Sequence, residues 1–168
     1  LMTDTPMLLH FAEDLTQASA IVKAAGMSLA AIARHRFPDG ELKLRLPSAL
    51  PPRVVLLRTL DNPDEKLVEL LLVARTARTL GAQHLTLVAP YLAYMRQDMA
   101  FQPGEVVSQK VVGQFLADLF DAVITVDPHL HRVATLAQAV PAAQATVLSG
   151  APLLADMIAT HLPQALLV

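Results

Sequence analysis

Short aliphatic runs alternate with longer stretches of helical period along this chain, and that alternation limits its fold more than any other feature. Val54-Val55-Leu56-Leu57 is apolar without a break, as a strand covered on both faces must be. Leu67, Leu70, Leu71, Ala74 and Ala77 then recur at helical spacing and stop before Gly81. The same reading predicts strands over Leu8–Phe11, Leu29–Arg34, Leu42–Leu46, Leu85–Ala89, Val123–Val126 and Thr146–Leu148. It predicts helices over Glu13–Ala25, from Pro63 to about Gly81, from Val107 onward, over Pro128–Ala137 and over Pro152–His161. Such an order implies an α/β fold, a mainly parallel sheet between two helical layers. Residues 1–162 read as one domain. Ala165-Leu166-Leu167-Val168 reads as a strand just beginning, so residues 163–168 are expected to open a second domain beyond this sequence.

Length and charge remove several classes of function. A chain of 168 residues can bury a real core. Thirteen basic against fifteen acidic residues, a formal charge of −2, give no footprint for nucleic acid or an anionic membrane. Without cysteine there are no disulfides, no thiolate catalysis and no cysteine-based zinc site. The N-terminal apolar run, Met7–Leu9, is flanked by acids and too short for a secretory signal. No apolar stretch approaches the ~18 residues of a membrane span. A cytoplasmic protein is the expectation.

In open α/β sheets ligands bind beyond the carboxyl ends of the strands. Two polar segments stand at such ends. PYLAYMRQD follows the strand Leu85–Ala89, contains both tyrosines of the chain, and ends in Arg96, Gln97 and Asp98. A guanidinium fork there suits a phosphate, and the carboxylate can orient it or hold a magnesium water shell. An internal Arg96–Asp98 pair in a polar loop fits equally well. Asp127-Pro128-His129-Leu130-His131-Arg132 follows the strand Val123–Val126. Asp127 and His129 can hold a divalent cation, or Asp127 can cap a helix whose first residue is Pro128. Phe37-Pro38-Asp39-Gly40-Glu41 either projects its aromatic ring and two carboxylates to one side or forms a hairpin turn with Phe37 in the core. Phe101-Gln102-Pro103-Gly104-Glu105 reads as a turn before a helix, with Glu105 in its first turn. No Walker-type phosphate loop and no G-x-G-x-x-G run occur.

RFPDGE, PYLAYMRQD and TVDPH, in that order and separation, resemble the N-terminal domain of ribose-phosphate diphosphokinases, the PRPP synthetases. FQPGE after the RQD resembles the shorter, archaeal-like branch. The resemblance implies a phosphoribosyltransferase-like α/β/α sandwich and transfer of diphosphate from ATP to ribose 5-phosphate, releasing AMP, with Mg²⁺ as cofactor. It implies that Arg96 and His129 are catalytic, that Arg96, Gln97 and Asp98 serve the ATP, and that His129, with Asp127 ordering the turn, meets the magnesium. Phe37, Asp39 and Glu41 would reach an adenine bound at a neighbouring subunit, so a homo-oligomer, dimer or hexamer, becomes part of the site. The sequence also departs from the family pattern. Met99-Ala100 replaces a basic pair, and Leu130-His131-Arg132 replaces the usual residues after the histidine. The family's ribose-phosphate loop does not occur. The resemblance therefore implies an ATP half-site that is inactive alone, or a non-catalytic relative that assembles with an active synthetase.

Overall fold

The computed structural model describes residues 5–162. Six strands form one parallel sheet in the order β2-β1-β5-β6-β7-β8, and two more form a separate antiparallel ribbon, β3-β4. The sheet strands are β1 (Met7–His10), β2 (Ser28–Ala31), β5 (Arg53–Leu57), β6 (His84–Ala89), β7 (Ala122–Val126) and β8 (Gln144–Leu148). The ribbon joins β3 (Ala33–Arg36) to β4 (Leu42–Arg45). The helices are α1 (Leu15–Ala25), α2 (Pro63–Thr79), α3 (Ser108–Leu119), the short α4 (Leu136–Ala139) and α5 (Ala151–His161).

The main core lies between one face of the sheet and α2, α3 and α4. Leu56, Leu70, Val73, Leu87, Leu116 and Val123 are all buried there. A smaller cluster, Leu8, Ala18 and Leu57, packs beneath α1 on strand positions of opposite parity. The expected α/β/α sandwich with a parallel sheet is therefore the observed fold.

Three local expectations are corrected. Leu29–Arg34 is not one strand. At Ile32, which is buried and donates its N–H to His10 O at 2.8 Å, the chain leaves the main sheet and enters the ribbon. Pro128–Ala137 is not a helix, because only Leu136–Ala139 is helical, opened by a capping box between Thr135 and Gln138. The remaining stretch is a loop after β7. α3 starts at Ser108, so Glu105 lies ahead of the helix rather than in its first turn. The strand expected at 163–168 falls outside the described residues.

α3 and α4 approach more closely than side chains would permit. A Cβ on Gly113 would stand 1.7 Å from Ala139 O, so glycine is required at that crossing.

Candidate active site

β6 and β7 are hydrogen-bonded neighbours, and the chain leaves both at the same edge of the sheet. The two polar segments therefore meet. Between them lies a cleft of about 720 Å³, lined by Tyr94, Arg96, Gln97, Ser108, Asp127 and His129 among others. The N-terminal end of α3 also faces it, through Ser108.

The backbone here is held in conformations it would not choose. Asn62, Tyr94 and Asp127 are the non-glycine residues with positive φ among the described residues, at 47°, 61° and 40°. Tyr94 and Asp127 line the cleft, and Asn62 lines the adjoining hollow, which Arg96 also reaches. Left-handed backbone at such residues costs free energy and tends to collect where a site is being shaped.

Identifiable contacts hold that shape. Tyr94 donates its hydroxyl to the Asp64 carboxylate at the start of α2, and that hydrogen bond pushes its phenol above the usual range. Gln109, buried on α3, donates Nε2 to Met95 O at 3.0 Å, while its own N–H reaches Gln97 O at 3.1 Å. Glu105 accepts the N–H groups of Phe101 and Gln102 at 2.6 and 3.1 Å, closing the turn before α3. The tyrosines are thus not equivalent: Tyr94 braces the loop, and Tyr91 is exposed.

The sequence candidates fall into two groups. Arg96, Gln97, Asp127 and His129 line one cleft. Arg96 makes no ion pair among the described residues and keeps its guanidinium free. Asp98 does not pair with it. Its side chain, 1% exposed, binds Arg132 at 2.6 Å and so ties the loop after β6 to the loop after β7. Its other oxygen, Oδ2, is buried without a protein partner. Asp127 does not cap a helix beginning at Pro128. Its Oδ2 accepts the N–H of Gly150 at 2.9 Å and caps the start of α5 instead. His129 packs edge-on against His131, with ring centroids 4.1 Å apart.

The second group stands apart. Phe37, Asp39 and Glu41 form the turn of the β3-β4 ribbon, closed by Phe37 N–H to Glu41 O and Gly40 N–H to Phe37 O, both 2.9 Å. Asp39 Oδ1 accepts the Glu41 N–H at 3.1 Å, so the segment is a hairpin turn and not an extended comb. Phe37 is 40% exposed, outside the core, against the His35 ring. The hollow beside this ribbon shares no lining residue with the cleft.

One ionic cluster escaped the sequence reading. The strand order reverses between β1 and β5, the place where an open sheet offers a ligand crevice. Here an ionic cluster lines a hollow of about 330 Å³, bounded by Glu13, Arg34, Arg36, Arg58 and Lys66 among others. Arg58, 1% exposed, binds Glu69, Glu13 and Asp14, and lies 4.4 Å over the Phe11 ring. Arg34 of the ribbon joins through Glu69 at 2.6 Å. Burial pushes the Glu13 carboxyl up, but its own backbone N–H and Arg58 outweigh that and hold it at about 2. Burial wins at Asp14, whose carboxyl is raised despite Arg58. The missed signals were polar residues on buried stripes: Glu69 before Val73 in α2, and Gln109 before Val112 and Gly113 in α3.

No group of three His, Asp or Glu side chains able to hold a metal occurs among the described residues. No helix among them is long and apolar enough to cross a membrane.

Residues 7–119 match the family described as the N-terminal domain of ribose phosphate pyrophosphokinase. The ribose-phosphate pyrophosphokinase of Saccharolobus solfataricus is 40% identical over 113 residues, 66% of this chain and 39% of that protein. That of Methanopyrus kandleri is 42% identical over 109 residues, 64% of this chain and 37% of that protein. The phosphoribosylpyrophosphate synthetase of Mycobacterium smegmatis shares the fold, with a TM-score of 0.80 at 21% identity, over 94% of this chain and 52% of that one. The chain spans about two-fifths of the length of these curated relatives. It belongs to the ribose-phosphate pyrophosphokinase family, and residues 7–119 are that family's N-terminal domain.

Proposed function

We propose that this chain supplies the ATP-binding half of a ribose-phosphate pyrophosphokinase. In the complete protein the anomeric hydroxyl of ribose 5-phosphate attacks the β-phosphorus of ATP. The new C1–O–Pβ linkage forms, the Pα–O–Pβ bridge breaks, the hydroxyl proton is lost, and AMP leaves. The supporting observation is the cleft beyond β6 and β7, where an unpaired Arg96 faces Asp127 and His129 across a void of nucleotide size. Phosphoryl-type transfer asks a protein for positioning and charge neutralisation, which a guanidinium fork and an imidazole supply without a covalent intermediate. Gln97 and Asp98 hold the loop that presents Arg96.

The donor set fits Mg²⁺ that arrives with its nucleotide. Asp127 commits one oxygen to Gly150, and His129 offers nitrogen to an ion that prefers oxygen, so phosphates and waters must complete the shell. Bound there, Mg²⁺ would neutralise phosphate charge.

Phe37, Asp39 and Glu41 stand away from the cleft of their own chain, which supports their serving the adenine of a neighbouring subunit in a homo-oligomer. The chain alone is expected to show no turnover, since the family's ribose-phosphate loop does not occur in it. Loss of the basic pair at Met99-Ala100 favours the reading as a non-catalytic assembly partner. Arg132, anchored on Asp98, puts a cation back beside that loop and weighs against it.

The test is AMP formation by the complete protein with ATP and ribose 5-phosphate. Arg96→Ala and His129→Ala are each expected to lower the rate about 100-fold or more. Rates equal to wild type in both would remove this site assignment, and no AMP from the wild type would favour the assembly partner.

A further inference from the structure

Arg96 has a rival ligand two residues away. The side chain of Asp98 is 1% exposed, and its Oδ2 is buried without a protein partner. A buried carboxylate attracts any cation that reaches it, because little solvent screens the charge. Met99 and Ala100, which follow Asp98, carry no charge, and Arg96 is the basic residue nearest to it along the chain. An Arg96–Asp98 pair would be the local outcome, and it would draw the guanidinium out of the cleft. That pair does not form.

The surrounding contacts decide the competition. Gln109 donates to the backbone on both sides of Arg96, through Nε2 to Met95 O at 3.0 Å and through its N–H to Gln97 O at 3.1 Å. The main chain at residue 96 is therefore held, and its side chain is left to choose between Asp98 and the cleft. Arg132 reaches across from the loop after β7 and donates Nη1 to Asp98 Oδ1 at 2.6 Å. Its guanidinium lies 5.8 Å from the centre of the Phe101 ring, a cation–π contact that steadies it. Leu130 and Val133, on either side, pack against the main core and anchor the segment. With Arg132 on Asp98, Arg96 makes no ion pair among the described residues and lines both the cleft and the adjoining hollow. Arg132 lines neither.

We infer that Arg132 is a positioning residue: by neutralising Asp98 it keeps the Arg96 guanidinium free for an anionic ligand, a nucleotide phosphate on the reading above. An ordinary surface ion pair is worth little. This one has a buried carboxylate at one end and decides where a second guanidinium points. The same bond ties the loop bearing Arg96 to the loop bearing His129. The inference rests on the proposed nucleotide site for the identity of the ligand alone, since competition between the two arginines for Asp98 can be read with no nucleotide present.

Two readouts on the 168-residue chain test it, with circular dichroism to confirm folding. The first is the Nε–Hε nuclear magnetic resonance signal of Arg96, assigned by its loss in Arg96→Ala. In Arg132→Ala without nucleotide it is expected to shift as Arg96 turns onto Asp98. Adding Asp98→Asn should return it towards its wild-type position. The second readout is the Mg-ATP dissociation constant by calorimetry. Arg132→Ala is expected to raise it about tenfold, and to add little on top of Arg96→Ala. Adding Asp98→Asn to Arg132→Ala should recover most of the lost affinity, because the competing charge is gone. Arg132→Lys should stay within about threefold of wild type, since the observed contact uses one nitrogen, which an ammonium can replace. If Arg132→Ala does not fold, Arg132→Gln, which keeps a donor for Asp98 without the charge, takes its place. Recovery by Asp98→Asn is the outcome that a merely structural role does not give. An unmoved Arg96 signal, a loss that Asp98→Asn does not recover, or losses from Arg132→Ala and Arg96→Ala that simply add would each overturn the inference. If Arg96→Ala leaves Mg-ATP binding unchanged while the signal moves as expected, the nucleotide site fails and the positioning role of Arg132 stands.

Discussion

Glu69 shows how much a single side chain can organise. It is buried completely on α2 and binds Arg58 from the sheet and Arg34 from the ribbon. Removing one partner from a buried ionic cluster leaves the other charge uncompensated. Glu69→Gln is therefore expected to cost about 3–5 kcal/mol in urea unfolding. Glu13 adds a pH signature. Its folded carboxyl sits at about 2 against an ordinary 4.5, so as pH falls the unfolded chain takes up the proton first. The stability it contributes is complete above 4.5 and lost between 4.5 and about 2. Asp14, raised by burial, acts in the opposite sense and makes the net slope shallower. Glu13→Gln should flatten the fall in unfolding midpoint across that window, and an unchanged pH profile would contradict the assignment.

At the level of elements, much of the fold was legible because strand runs such as Val54–Leu57 and Leu85–Ala89 are apolar and short, and the helices between them keep their period. The errors fall where tertiary contacts override local signals. Leu29–Arg34 reads as one strand, yet Ile32 plugs into the core and turns the chain into another sheet. Asp127-Pro128 has the residues of a helix start, but Asp127 is drawn to Gly150 and the helix waits until Leu136. The residues of the candidate site were legible as two polar segments. Their meeting was not, since it depends on β6 and β7 pairing. Gly113 is the element-scale test. Alanine there drives a methyl group into the Ala139 carbonyl. A loss of about 1–3 kcal/mol is expected, with displacement of α4 visible as amide shifts from Thr135 to Val140.

Over the whole molecule, the buried ionic cluster and the candidate cleft lie beside different strand pairs, β1–β5 and β6–β7. At the reversal between β1 and β5 the Arg58 cluster ties the carboxylates of Glu13, Asp14 and Glu69 together and anchors the ribbon through Arg34, lining a smaller hollow. The candidate cleft lies farther along the sheet, beyond β6 and β7, where Arg96 makes no ion pair among the described residues. The turn of the ribbon lies outside that cleft. This division predicts where a nucleotide binds more sharply than it predicts turnover. An amide-resolved titration of the chain with Mg-ATP tests it most directly. The account predicts shifts over Tyr94–Asp98, Glu105–Ser108 and Val126–His129, weakened by Arg96→Ala, with Phe11, Glu13 and Arg58 unmoved. Shifts centred on Phe11, Glu13 and Arg58, with the loops after β6 and β7 silent, would contradict it.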